Sequence, residues 1–328
     1  MKWFEIFIKI TLKSNSAVIL NKVYDYKDVS TTKTTNFIEA IRLSNNNGYS
    51  KSLTYAYDAN GNITNANGVT YVYDEAGQLV RVNDPNNGTT TFQYDKGGNL
   101  VYEKTYAYTT GALGNVTSTK QYSYQYDRLV SVTENGVTTN ITYDVSGNPL
   151  TYHNGMSFQW EMGRQLAGIT NGSTTISYTY NEDGIRTSKT VNGVTTEYTL
   201  VDGRITYQTD GNTSMYFRYD GNDELIGFEY TVNGVTNEYY YVKNLQGDII
   251  DILDNTGYVA ANVIGAVIAG VIGAVGGAFL GKWLADRLKI TDFWKRAAFI
   301  GAVGLLVGVT AAAIGYFIGP YVAKAWSV

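Results

Sequence analysis

The sequence predicts a mainly β fold: an antiparallel sheet curled into a partial spiral shell, followed by a two-helix hydrophobic hairpin. Three observations carry this reading. Tyr-Asp pairs, most of them followed by a Gly, recur from Tyr57 to Tyr219 and alternate with Asn-Gly pairs. The chain has 29 Tyr and 35 Gly but only 3 Pro in 328 residues, a composition of strands and tight turns rather than of a linker. From residue 258 onward the sequence changes to two uncharged apolar runs of 22 residues each.

Residues 1–50 read as divergent N-terminal strands. Phe4, Ile6, Ile8, Ile10 and Leu12 alternate with Glu5, Lys9, Thr11 and Lys13, the two-residue period of a strand. Glu5 and Lys9 interrupt the apolar run that a signal peptide needs, and no small-residue cleavage site stands in a convincing place. A start inside a longer protein is a further reading of this segment.

Residues 51–257 are the repeat body. The unit is clearest in Tyr55–Asp74, where Tyr55 and Tyr57 share a sheet face and Asp58…Gly61 turns the chain. Asn67-Gly68 then turns it back. An Asp side chain bonds the amides ahead of it, and Gly accepts a positive φ. The series continues with Asp74…Gly77, Asp95…Gly98, Tyr126-Asp127, Asp144…Gly147, Trp160-Glu161…Gly163, Asn181…Gly184 and Tyr219-Asp220. Asn-Gly turns fall between them at Asn67, Asn87, Asn135, Asn171, Asn192 and Asn233. Successive units start 16, 21, 32, 17, 17, 20 and 39 residues apart, so strand lengths vary and the two long gaps have room for a degenerate unit. About two strands per unit gives roughly 14–18 strands. A sheet of that size twists and must curl, and Tyr rings along one face would brace it through cross-strand pairs.

The apolar runs Val259–Leu280 and Ala297–Ile318 are each long enough to cross a bilayer as a helix. Between them lies a basic loop with Trp283 and Trp294 near its ends, the pattern of a transmembrane hairpin with a cytoplasmic loop. Gly273, Gly277 and Gly281 form one small-residue stripe; Gly304 with Gly308 and Gly315 with Gly319 form another, which would pack the helices in the membrane. Three readings stay open for residues 258–328: a membrane anchor, a segment packaged inside the shell, and a pore-forming effector.

The repeats resemble the YD repeats of the RHS family of bacterial proteins, similar in fold to the YD shell of teneurins. Beside the Tyr-Asp series, Phe158-Gln159-Trp160-Glu161…Gly163-Arg164-Gln165-Leu166, Tyr180–Arg186 and Tyr239–Ile250 carry the resemblance, the last being similar to the opening of the RHS repeat-associated core. It implies a spiral β-shell that in toxin-bearing members encloses a C-terminal effector delivered to competing cells. The family's later Arg-Tyr-Tyr-Asp-Pro and Asp-Pro-x-Gly segments have no counterpart here, so the match stops before the end of the core and self-cleavage is not carried over.

Charge and chemistry bound the function. The total of −4 splits into +4 for residues 258–328, six Lys and Arg against two Asp, and −8 for the rest. An acidic body argues against a nucleic-acid partner. With no Cys, disulfides and thiol chemistry are excluded. The single His153 sits beside a turn without a triad around it. Asp58-x-Asn60-x-Asn62 and Asp144–Asn148 resemble the start of a calcium loop, but the acid at the twelfth position is missing. No catalytic residue, metal or cofactor is expected.

The function expected is a non-enzymatic shell protein of the contact-dependent toxin or cell-surface type. Its body would lie outside the cytoplasm, its tail would contact a membrane, and a polypeptide would be its encapsulated or attached cargo. The alternatives are a toxin-delivery protein with a membrane-active tail, a gene fragment, and a surface protein making weak carbohydrate contacts through exposed Tyr and Trp.

Overall fold

The structure, a computed structural model, describes residues 7–14, 17–30, 33–152 and 155–260. These form 22 strands in two antiparallel sheets of 12 and 10 strands. Every strand pairs with its neighbour in sequence, with no crossover, and neither sheet closes into a barrel. Nineteen of the strands lie from Ser50 onward, slightly more than the repeat count predicts. The proposed helical hairpin, with Gly273, Gly277, Gly281, Gly304, Gly308, Gly315 and Gly319, lies outside the described residues, as does His153. Among the described residues no helix is long and apolar enough to cross a membrane.

Local sequence dictates each strand's two faces. In Thr174–Tyr180, Ile176 and Tyr178 are buried while Thr175, Ser177 and Thr179 face solvent. The Asn-Gly hairpins fix register: around Asn192-Gly193, Val191 pairs with Val194 and Thr190 with Thr195. Both turn residues have positive φ (48° and 88°), as the two-residue turn that matches strand twist requires. Outside the turn the paired Thr190 and Thr195 hydroxyls bond at 2.8 Å, and Thr133–Thr138 and Thr231–Thr236 repeat this.

Curvature comes from the other turn. A register shift falls at the aromatic residue before the turn in Ala56/Tyr57, Val72/Tyr73, Gln93/Tyr94, Gln159/Trp160, Thr179/Tyr180 and Arg218/Tyr219. A bulge bends its strand and increases the local twist. Placed repeatedly at one end of the hairpins, it coils the wall.

The described strands before residue 50, Phe7–Ser14, Ala17–Ser30 and Lys33–Ser44, pair in order into the first sheet and are continuous with the repeat wall. At the other end the sheet runs past residue 257. Leu253 bridges Val259, and the Ala260 amide donates to the Ile252 carbonyl at 2.9 Å. Tyr258–Ala260 thus belong with the last strand, Ile249–Asp254.

The two sheets meet twice. Residues 141–156 join them through single bridges, Tyr143 to Pro149 and Thr151 to Ser157. The two ends of the described wall also lie against each other as layers. Ile19, Leu20, Ile41, Leu43, Leu53 and Tyr55 from the first strands share one buried cluster with Tyr240, Val242 and Leu253 from the last.

Candidate functional site

The repeated unit supplies a rim of identical turns. At Asp58 one carboxylate oxygen accepts the amides of Asn60 and Asn62 at 2.9 Å each, and the other accepts the Asn62 side-chain amide. Gly61, at φ 87°, closes the turn onto the Asp58 carbonyl. Asp74 with Gly77, Asp95 with Gly98, Asp144 with Gly147 and Asn181 with Gly184 occupy the same places. Their side-chain oxygens accept the amides of Gln78, Asn99, Asn148 and Ile185 at 2.8–2.9 Å. All five glycines have positive φ. The side-chain amides of Asn99 and Asn148, with the turn amides, hold the carboxyls of Asp95 and Asp144 below the ordinary Asp value. For Asp58 burial pushes upward, but the Asn62 side chain and three turn amides outweigh it.

The aromatic residue has a second task besides packing. Tyr73, Tyr94, Tyr180 and Tyr219 donate their hydroxyls to the carbonyls of Ile63, Leu79, Leu166 and Ile205 at 2.8–3.0 Å. Each acceptor is the first or second residue of the strand that follows an earlier turn, so these units are pinned to earlier ones. Where Trp160 replaces Tyr, its indole N–H does the same to Pro149 at 2.7 Å. Ring stacking contributes at Phe37–Tyr57 and at Phe228 with Tyr239. Burial raises the Tyr71 phenol to about 12 and pushes those of Tyr122, Tyr178 and Tyr241 up as well.

Tyr126-Asp127 is not such a unit. Both residues have positive φ (52° and 58°) and form the centre of a two-residue hairpin, which leaves Tyr126 95% exposed. Tyr124, two residues earlier, donates to Leu100 instead. The 39-residue gap holds a degenerate unit, with Asp202-Gly203 as a two-residue turn and Leu200 at the aromatic position. The 32-residue gap is filled by the connection from Tyr106 to Val116. At Asn171-Gly172 the turn is displaced by one residue, so that Gly172-Ser173 are its centre.

Sequence reasoning missed the place where the two ends meet. Asp251, 2% exposed, accepts from Lys51 Nζ and from the Tyr49 hydroxyl at 2.8 Å each. Arg218 bridges Glu229 and Glu238 at 2.7 Å, and Glu238 also accepts from Ser14 Oγ at 3.2 Å. Asn45–Tyr49 forms the rim turn with Asn in the Asp position. The Asn45…Gly48 spacing carried that signal, but without a Tyr before it.

Among the described residues no group of three or more His, Cys, Asp or Glu could hold a metal ion. The acids of the rim spend their oxygens on turn amides. These contacts define a repeat-built antiparallel wall whose described ends lap over one another.

The repeats of this wall are similar to RHS repeats. The family model described as RHS Repeat matches residues 73–111. A curated relative, the tRNA nuclease WapA of Bacillus subtilis (strain 168), is 36% identical over 128 residues, which are 37% of this chain and 5% of that protein. Among solved structures, the Photorhabdus luminescens Tc holotoxin pore with a mutated TccC3 aligns with 78% of this chain and 15% of its own, at 16% identity and a TM-score of 0.40. A TcdB2-TccC3-Cdc42 structure aligns with 76% and 17%, at 13% identity and 0.39.

Proposed function

We propose that the chain is a non-enzymatic wall segment of an RHS shell that holds a polypeptide. The observation carrying this is the coil itself: hairpins joined only to their neighbours, pinned by Tyr hydroxyls, with the two ends layered over each other. Such a wall would screen what lies inside it from proteases, and its rim acids serve as turn caps. The curated relative is named for a nuclease, but the matched stretch is 5% of it, and we assign that stretch to wall rather than to catalysis. To test this, a flexible, protease-sensitive reporter is fused to the full chain. Protection of the reporter in the folded fusion, lost when the fusion is unfolded, supports the reading; cleavage at the rate of free reporter removes it.

The apolar sequence beyond Ala260 supports a second element, contact of residues 261–328 with a membrane and a body outside the cytoplasm. The full chain should sediment with membranes and resist carbonate extraction. Exporting it while following membrane potential separates an anchor, which leaves the potential unchanged, from a membrane-active effector, which collapses it.

A further inference from the structure

The first and last rim turns of the wall interlock. Asn45 uses all of its hydrogen-bonding capacity there. Its Oδ1 accepts the amides of Asn47 and Tyr49 at 2.9 and 3.0 Å, as the Asp does in other turns. Its Nδ2 donates to the Ile19 carbonyl at 3.0 Å within its own layer and to the Gly257 carbonyl at 2.7 Å in the other. Asn47 Nδ2 donates to the Thr256 carbonyl beside it.

A carboxylate could cap the turn equally well, but it would set an anionic oxygen against two carbonyl acceptors. The partner side is equally specific. Gly257 has φ 87°, and a Cβ there would lie 2.5 Å from Asn45 Nδ2 and 3.2 Å from the Ile19 carbonyl. Around this contact stand the Asp251–Lys51 pair and the Tyr55 hydroxyl, which accepts the Leu245 amide at 3.2 Å.

We propose that the contact between Asn45–Tyr49 and Asp254–Tyr258 is a lock that holds the two ends of the coil together. In this reading Asn45 sets the lock, and its release parts the layers without melting the sheets. The layered contact joins residues about 200 apart, whereas each sheet is built from neighbours, so the lock can open while both ladders persist. This holds whatever the coil contains.

Asn45→Asp changes one group and keeps the turn, and Asp74→Asn makes the reverse change at a turn away from the lock. Hydroxyl-radical footprinting of the full chain reads both faces of the last strands. In Asn45→Asp, labelling of Tyr240, Val242 and Leu253 should rise about tenfold, the size expected from losing the single Asn45 bond that crosses the layers, to Gly257. Phe228 and Ile176, outside the contact, should stay protected, and Asp74→Asn should label like the parent. Unchanged labelling of Leu253, or loss of protection at Phe228 together with it, overturns the proposal.

If Asn45→Asp does not fold, the paired variant Asn47→Cys with Thr256→Cys decides. In a chain with no Cys of its own, a disulfide there should lower Leu253 labelling below the parent level. A folded disulfide form with parental labelling overturns the lock.

Discussion

The rim and the overlap of the two ends use the same turn for opposite purposes. On the rim, hydrogen bonds join residues 2 to 28 apart, and each unit is complete once its neighbour has formed. At the overlap they join residues 190 to 224 apart, and nothing forms until the whole coil has wound. The rim is built by repetition, so one defect is shared among many equivalent bonds. The overlap is built once, so one defect there removes the contact. Local contacts also form early and cheaply, while closing a long loop carries an entropic cost that later contacts must offset.

The largest effect is expected in the shared core of the overlap. Leu253 and Ile41 are fully buried there, and Leu253→Ala should lower stability by about 2–5 kcal/mol in chemical denaturation. A smaller change would mean that the layers hardly support each other. Next, Gly257→Ala adds a methyl where the backbone is left-handed and Asn45 is in the way. The expected loss is about 1–3 kcal/mol, and Gly68→Ala, which meets no atom within 4 Å, should cost less. Equal effects would place the cost in backbone strain alone.

On the rim, Tyr94→Phe removes the 2.8 Å bond to Leu79 and should cost about 0.5–1.5 kcal/mol without exposing Leu253 to labelling. Exposure of Leu253 would show that the rim and the overlap are not separable.

Acid gives the smallest effect per site. Asp95 and Asp144 have folded-state pKa values below the ordinary 3.8, so the unfolded chain binds protons that the folded chain refuses. Their contribution is fully present above the ordinary Asp range. It fades as pH falls from there through the depressed values. Denaturation midpoints should therefore hold at neutral pH and decline below about pH 4, and Asp95→Asn should flatten that decline. An unchanged slope would remove the turn carboxylates as its cause.

Much of the wall was legible because its instructions are short. Asp58…Gly61 and Asn67-Gly68 each specify a turn within a few residues, and alternation does the rest. Misreadings arose where one dipeptide served two turns. Tyr126-Asp127 carries the repeat's letters, but its two positive φ values make a tight hairpin, and Tyr124 takes the aromatic role. The overlap was hidden for another reason: Asn45, Lys51, Asp251 and Gly257 are ordinary surface or turn residues until the chain brings them together.

The sequence by itself determined that strands form, where most of them turn and which faces are apolar. Those outcomes depend on backbone sterics and side-chain alternation within a few residues. Only the tertiary structure decided that the strands Phe7–Ser14, Ala17–Ser30 and Lys33–Ser44 extend the wall, that Tyr hydroxyls stitch units to earlier ones, and that the first turn fits the last. The physical reason is cumulative twist. Small bulges at successive rim positions add up to a rotation that no single stretch of sequence encodes, and their sum brings Asn45 to the carbonyl of Gly257.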